Sequence, residues 1–214
     1  MSAIRTESVS AEVEVFPESD PGAIFSAKPT TVLRVDDHVL TGERSHAVIT
    51  FADLSTLQMK EESEIIISCP ELRSSRVDYR KGTLWLKVKK LILGDAIEAK
   101  TNLAAMGIYG TTLVTEVTDE ATTLKVLDGD VEFTSLATGE GVMVAAGETV
   151  TATAEGLSEK GTFDVEAESA SWNLAEGGDG LPGLLVLSVI VAGAIALVSV
   201  AARLIFGRKR GQAI

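Results

Sequence analysis

The chain has 214 residues, and its 31 Asp and Glu against 19 Lys and Arg give a net charge of −12. This balance argues against nucleic acid as a partner, because binding it requires a basic surface that neutralises phosphates. Cys69 is the single cysteine, which excludes an intramolecular disulfide and a thiolate metal cage.

Residues 1–29 are predicted to form an extended N-terminal arm. They mix charges with Pro17 and Pro21, and only Val9 to Val15 alternates in a way that suits an edge strand. The first residues contain no apolar stretch or cleavage site resembling a signal peptide. On this signal alone, the folded domain is expected to remain in the cytoplasm.

Residues 30–156 are predicted to form an all-β domain: a β-sandwich, a jelly roll or a solenoid-like fold. Short runs rich in β-branched residues recur through this region, and Gly-containing turn dipeptides separate them. Asp128-Gly129 is the strongest hairpin signal, because this dipeptide tolerates the positive φ angles of primed turns.

One segment of this domain is basic although the chain is acidic. If Thr83–Lys89 is a strand, alternate residues on one face are Trp85, Lys87 and Lys89, and those between them face the core. Two interpretations stay open: a charged edge strand that blocks aggregation, or a contact face for anionic lipid or an acidic partner subunit. The residues of the contact hypothesis are Arg80, Lys81, Trp85, Lys87, Lys89 and Lys90.

The sequence offers no candidate catalytic, cofactor or metal site. His38 and His46 have no neighbours in a metal-ligand pattern. Asp164, Glu166 and Glu168 alternate, so on a strand they would share one face, which suits a solvated surface or a basic partner better than paired acid and base. Nucleotide-binding, zinc-protease and serine-hydrolase motifs are missing from the sequence. We therefore predict a protein that is not an enzyme and uses no cofactor, metal or small-molecule substrate.

The C-terminal region is predicted in three parts: an acidic, Gly-containing segment and hinge over 157–180, a transmembrane helix over 181–206, and a short basic tail over 207–214. No charged residue occurs from Leu181 to Ala202. At about 1.5 Å per residue this run is roughly 33 Å long as a helix, enough to cross a hydrocarbon core of about 30 Å. A strip of small residues suits packing against another membrane helix; it consists of Ser188, Ala192, Gly193, Ala196 and Ser199.

The signals for membrane orientation disagree. The basic tail would remain in the cytoplasm by the positive-inside rule, which places the β-domain outside. The N-terminus, which does not resemble a signal peptide, favours a cytoplasmic domain. We expect a single-pass protein of a prokaryotic inner membrane and favour the cytoplasmic orientation.

Four short segments, taken in order, resemble the FecR-domain family over roughly residues 30–155. They are Leu40–Ile49 with Asp53–Ser55, Thr101 to Thr111, Leu127 to Val131, and Val144 to Val150. The resemblance implies a compact β-domain used for protein contacts.

The family's turn motif falls on Gly107, Gly110 and Thr111, and a tight backbone turn is expected at the two glycines. Tyr109 stands where the family usually has Arg, and Leu54 replaces the Gly of an Asp-Gly-Ser turn. In the family's iron-signalling regulators a sigma-factor-binding segment precedes the membrane helix, whereas the apolar run here follows the β-domain. That regulator role is therefore not carried over.

Two functional hypotheses follow. The first is a non-catalytic, membrane-anchored structural subunit that packs on a larger membrane complex through its helix and its β-domain. The second is a FecR-like signalling or envelope-sensing adaptor with the β-domain outside the cytoplasm. Both have other membrane proteins and the lipid bilayer as partners, and we rank the structural subunit first because the sequence offers no sigma-binding segment and no ligand pocket.

Overall fold

The computed structural model describes residues 12–17, 20, 22–28, 31–51, 55–71, 74–88, 97–172 and 185–189. Apart from one short helix, the regular elements among these residues are all β-strands, which confirms the predicted all-β class. The strands are β1 (Val13–Phe16), β2 (Phe25–Ser26), β3 (Val32–Leu33), β4 (His38–Thr41), β5 (Ala47–Thr50), β6 (Thr56–Met59), β7 (Glu64–Glu71), β8 (Ser74–Lys87), β9 (Ile97–Lys100), β10 (Ala104–Ile108), β11 (Thr112–Val117), β12 (Thr122–Asp128), β13 (Asp130–Ser135), β14 (Gly141–Ala145), β15 (Glu148–Thr153), β16 (Gly156–Leu157), β17 (Gly161–Thr162) and β18 (Leu185–Val189). A short helix, α1, spans Val165–Ala170.

The strands form two sheets that share β8. Sheet A has the order β2-β1-β4-β7-β8-β9-β10-β13-β14. Sheet B has the order β3-β18-β5-β6-β8-β11-β12-β15, and both β16 and β17 pair with the far side of β15. The predicted N-terminal arm therefore contributes β1 and β2 to sheet A, and β1 lies between β2 and β4 rather than at an edge.

The two sheets pack face to face around one hydrophobic core. Along each strand alternate side chains point inward, as the strand period of two requires. Buried residues from sheet A, such as Val77 and Phe133, belong to the same cluster as Leu84 and Leu124 from sheet B. The architecture is thus a β-sandwich, one of the three folds that the strand pattern predicts.

Strand β8 passes from sheet A to sheet B at Gly82. Its first half pairs with β7 and β9, and its second half pairs with β6 and β11. Gly82 has a φ of 99°, a conformation that favours glycine. A Cβ at this position would lie 2.5 Å from the Cα of Ser63, so the crossing depends on the absence of a side chain.

The predicted hairpin at Asp128-Gly129 is wrong. Gly129 has the expected positive φ of 83°, but β12 belongs to sheet B and β13 to sheet A. The dipeptide therefore turns the chain from one layer to the other. A left-handed glycine serves such a corner as well as a primed hairpin turn, and the local sequence does not distinguish the two.

Of the predicted transmembrane segment, the structure describes Leu185–Val189, and it forms a strand rather than a helix. This strand, β18, runs parallel to both β3 and β5. Ser188 of the small-residue strip lies in β18, whereas Ala192, Gly193, Ala196 and Ser199 lie outside the described residues. Within the part of the chain that the structure describes, no helix is long and apolar enough to cross a membrane.

Candidate interaction site

The predicted basic contact face is divided between the two sides of the sandwich. Arg80 precedes the crossing at Gly82 and lies on the outer side of sheet A, whereas Trp85 and Lys87 lie on the outer side of sheet B. The outer faces of two packed sheets point away from each other, so these residues do not form one surface. Lys81 is exposed beside the crossing, opposite Glu64, and Lys89 and Lys90 lie outside the described residues.

Strand β8 is not an edge strand, so the interpretation of a charged, protective edge is wrong. It has a neighbour on each side in both sheets. The predicted orientation within the strand is confirmed, because Leu84 and Leu86 are fully buried and Val88 is 5% exposed. Local alternation was readable from the sequence, but the position of the strand within its sheet was not.

A basic cleft of about 300 Å³ opens on the outer side of sheet A. We define the basic cleft by Arg76, Arg80, Lys100 and Leu136, which line it together with Asp78. Its three cations outnumber its one carboxylate although the chain as a whole is acidic. The cleft is therefore suited to an acidic group that brings an apolar contact for Leu136, which is 43% exposed.

One acidic residue orients the floor of the basic cleft. The Arg76 Nε donates a hydrogen bond to Asp78 Oδ1 at 3.0 Å, and the Ser68 hydroxyl donates to Asp78 Oδ2 at 3.2 Å. Lys100 is in register with Asp78 on the parallel neighbour β9. Sequence analysis missed Lys100, because only the pairing of β8 with β9 brings it beside Arg80.

Tyr79 lies beneath this face and points into the core. Its side chain is fully buried, and its hydroxyl has no hydrogen-bond partner among the described residues. Burial raises the pKa of the Tyr79 hydroxyl far above its ordinary value. The hydroxyl therefore stays neutral and contributes no charge to the basic cleft.

A second cleft, of about 250 Å³, lies between α1 and the outer side of sheet B. Its lining includes both tryptophans of the chain, Trp85 and Trp172, together with Gln58 and Lys87. Trp172 is only 4% exposed, so its ring packs against the sandwich.

The acidic triplet beside this cleft is helical, and its predicted strand face is wrong. Asp164 is the N-cap of α1, and its side chain accepts a hydrogen bond from the backbone N–H of Ala167 at 3.0 Å. An N-cap carboxylate satisfies a donor that the first turn leaves free. Glu166 and Glu168 follow within that turn, where negative charge is favourable. Six residues are too few for a helical period to stand out in the sequence.

Charged contacts fix α1 on sheet B. Lys125 Nζ lies 2.8 Å from Glu116 Oε1 and 3.1 Å from Glu168 Oε2. The indole N–H of Trp172 donates to Glu168 Oε1 at 2.9 Å, and the ammonium of Lys60 lies 4.1 Å from the centre of the indole ring. Glu168 is therefore the residue that joins the helix to the sheet.

The docking of α1 is expected to weaken in acid. Burial alone would raise the pKa of Glu168, but the hydrogen bonds from Trp172 and Lys125 outweigh it and hold the pKa below its ordinary value of 4.5. A carboxylate with a depressed pKa in the folded state stabilises the protein above the unfolded pKa, and this contribution is lost as the pH falls through the folded value.

We expect the fluorescence of Trp172, followed in a Trp85→Phe background, to change as the pH falls below 4.5. The Glu168→Gln variant should show the released signal already at neutral pH and lose the acid step. An unchanged acid step in Glu168→Gln would show that another group controls the docking.

The turn-motif residues have structural roles, and the two glycines differ. Gly110 has a φ of 62°, as expected of a tight turn, and it leads the chain from β10 in sheet A to β11 in sheet B. Gly107 lies within strand β10, so its predicted turn is wrong. The ring of Tyr109 lies 3.9 Å from the point where a Gly107 Cβ would be, which covers the glycine as an aromatic neighbour can on a sheet.

Thr111 links two of the inter-sheet corners. Its hydroxyl lies 3.2 Å from the carbonyl oxygen of Tyr109 and 3.1 Å from that of Asp130. Thr111 is 1% exposed, so it is not available to a partner. Gly110 and Thr111 therefore specify corners of the sandwich rather than a binding surface.

Comparisons with known proteins agree with this structure. Residues 37–132 match the family model described as FecR protein. Two crystal structures of a candidate anti-sigma factor from Parabacteroides distasonis, at 2.50 Å and 1.65 Å resolution, share the fold with a TM-score of 0.56 and 15% sequence identity. Each match covers 64% of this chain, and 64% and 65% of the respective solved chains. No curated protein matches the sequence.

The family match and the β-sandwich cover the same part of the chain. The matched range contains the corners at Gly110 and Gly129 and both halves of β8. Residues 37–132 thus match the FecR family model, in agreement with the resemblance that the sequence motifs indicate.

Proposed function

We propose that this chain is a non-catalytic sensing or signalling adaptor whose β-sandwich recognises a protein partner. The match of residues 37–132 to the FecR family carries the proposal. The shared fold with a candidate anti-sigma factor supports the same class of function. The structural-subunit hypothesis has no comparable support, and the order of the two hypotheses is therefore reversed.

In this proposal the partner presents an acidic segment to the basic cleft. Arg76 is held by Asp78, while Arg80 is exposed and Lys100 is half-buried at the same opening. A local positive potential within an otherwise acidic surface selects the orientation of an approaching acidic group. Leu136 adds an apolar contact at the rim, so the partner segment combines carboxylates with at least one apolar side chain.

The proposal includes a membrane anchor formed by the apolar run from Leu181 to Ala202, and it requires Leu185–Val189 to leave β18 and join a membrane helix. The basic residues that follow it favour a cytoplasmic tail by the positive-inside rule, which places the sandwich outside the cytoplasm of a prokaryotic cell. Protease treatment of oriented inner-membrane vesicles tests this topology. In inside-out vesicles we expect the sandwich to be protected, and its digestion without detergent would contradict the proposed side.

The signalling role is tested by the transcripts that depend on the chain. Deletion in the native host should alter a small, discrete set of transcripts, and expression of the wild-type chain should restore them. The variant Arg80→Glu/Lys100→Glu should fold but fail to restore them, because it replaces two cations of the basic cleft with carboxylates that repel an acidic segment.

A matched control separates the effect of the basic cleft from the effect of net charge. Lys28→Glu/Arg34→Glu changes the net charge by the same amount at two exposed positions outside the basic cleft, and it should restore the transcripts. If deletion instead removes one membrane complex that co-purifies with the chain at fixed stoichiometry, and transcripts do not change, the structural-subunit hypothesis is correct.

A further inference from the structure

The edge strands of the two sheets differ in length. Among the described residues, the outermost strands are β2, β3, β16 and β17, each of two residues, and β14, which has five. Short edge strands protect a sheet from pairing with another chain. Strand β14, Gly-Val-Met-Val-Ala, contains neither a charge nor a proline, so it lacks the usual protection and is long enough to pair.

The open side of β14 is defined by one hydrogen bond. The backbone N–H of Ala145 donates to Glu148 Oε2 at 2.9 Å, so it points away from the neighbouring strand β13. Because backbone groups alternate along a strand, the N–H groups of Met143 and Gly141 point to the same side. The Glu148 carboxylate occupies the position that a carbonyl oxygen of an added strand would take.

The surroundings of β14 select the charge of an added strand. On β13, Glu132 is in register with Met143, and Asp130 is in register with Ala145. Both acidic residues are exposed, as is Glu140 immediately before β14. Met143 is 55% exposed and offers an apolar contact among these carboxylates. A second copy of the chain would bring the same acidic groups together and be repelled.

We propose that β14 receives an extended segment of a partner protein, with basic residues alternating with apolar ones, as an additional antiparallel strand of sheet A. Backbone hydrogen bonds to Gly141 and Met143 supply the pairing, and the neighbouring carboxylates select the basic side chains. This surface is separate from the basic cleft and does not depend on the sensing role, so the chain has two contact surfaces of opposite charge preference.

A pair of synthetic peptides tests the surface. The probe is an acetylated heptapeptide of alternating Lys and Val, and its control alternates Glu and Val. We expect the Lys peptide to slow amide hydrogen exchange at Met143 and at Gly141 by at least about tenfold, which corresponds to 1.4 kcal/mol of protection. The Glu peptide should leave both amides unchanged.

Variants of the full chain separate strand addition from attraction to an acidic protein. Met143→Pro removes the outward N–H, a change that an edge strand tolerates, and it should abolish binding of the Lys peptide. Met143→Thr keeps the N–H and should still bind the Lys peptide. Glu132→Lys/Glu140→Lys should reverse the preference to the Glu peptide, whereas Glu155→Lys/Glu159→Lys, which changes the net charge equally at exposed positions, should not.

Three results would overturn the proposal. The first is protection by the Lys peptide at amides outside β14. The second is unchanged binding by both Met143→Pro and Glu132→Lys/Glu140→Lys, which would mark the attraction as non-specific. The third is a dimer of the chain alone, detected by light scattering and lost in Met143→Pro, because it would show that β14 pairs with a second copy.

Discussion

Gly82→Ala is expected to lower the free energy of unfolding by roughly 2–6 kcal/mol. The substituted residue would keep a φ near 99°, which costs roughly 1–3 kcal/mol for a residue with a Cβ. Its Cβ would also lie 2.5 Å from both the Cα and the Cβ of Ser63, and overpacking a tight site costs roughly 1–3 kcal/mol more. Urea denaturation, followed by far-UV circular dichroism, measures the loss as a lower midpoint at unchanged slope.

Gly139→Ala separates the two parts of this cost. Gly139 also has a positive φ, of 75°, but a Cβ there would meet no atom within 4 Å. Only backbone strain remains, so the loss should be about 1 kcal/mol. Equal losses in both variants would show that the approach of Ser63 does not constrain the crossing.

Local patterns in the sequence predicted local features of this fold correctly. Alternation placed Leu84 and Leu86 inward and Trp85 outward, because the direction of a side chain along a strand depends only on the strand period. The FecR motifs predicted the domain because they coincide with corners, such as Gly110, whose backbone requirement is written in one or two residues.

Features that depend on strand pairing were not predictable from the same patterns. The basic segment read as one face, but the crossing at Gly82 sends its two halves to opposite sides of the sandwich. Lys100 joins Arg80 in the basic cleft only through the parallel pair β8 and β9. The exposed edge of β14 likewise follows from the strand order.

The family's turn-motif residues and the residues of the candidate contact surfaces are different. Thr111 and Gly110 hold corners, whereas the basic cleft uses Arg80 and Leu136, and the open edge uses Met143. A family that shares corners can therefore vary its contact residues without altering the sandwich. The replacement of the usual Arg by Tyr109 fits this division, because Tyr109 is 61% exposed and covers a glycine.

A second set of corners in the sandwich depends on the buried hydroxyl of Thr41. This side chain is 1% exposed; its Oγ1 donates to the carbonyl of Lys60 at 2.6 Å and accepts from the backbone N–H of Ser63 at 2.9 Å. It thereby joins the corner that follows β4 to the corner between β6 and β7. The link adjoins the crossing at Gly82, because the Ser63 hydroxyl also accepts a hydrogen bond from the backbone N–H of Thr83 at 3.2 Å.

Thr41→Val is expected to lower the free energy of unfolding by roughly 2–4 kcal/mol. Valine has the same shape as threonine, but it leaves the Lys60 carbonyl and the Ser63 N–H without their hydroxyl partner in a buried corner. Thr115→Val is the matched control. Thr115 is fully buried, but its hydroxyl reaches the sulfur of Met106 at 3.7 Å, a weak acceptor, so its loss should change stability by less than about 0.5 kcal/mol. Urea denaturation of both variants decides the matter: similar midpoints would mean that burial of the threonines, rather than the hydrogen bonds of Thr41, stabilises these corners.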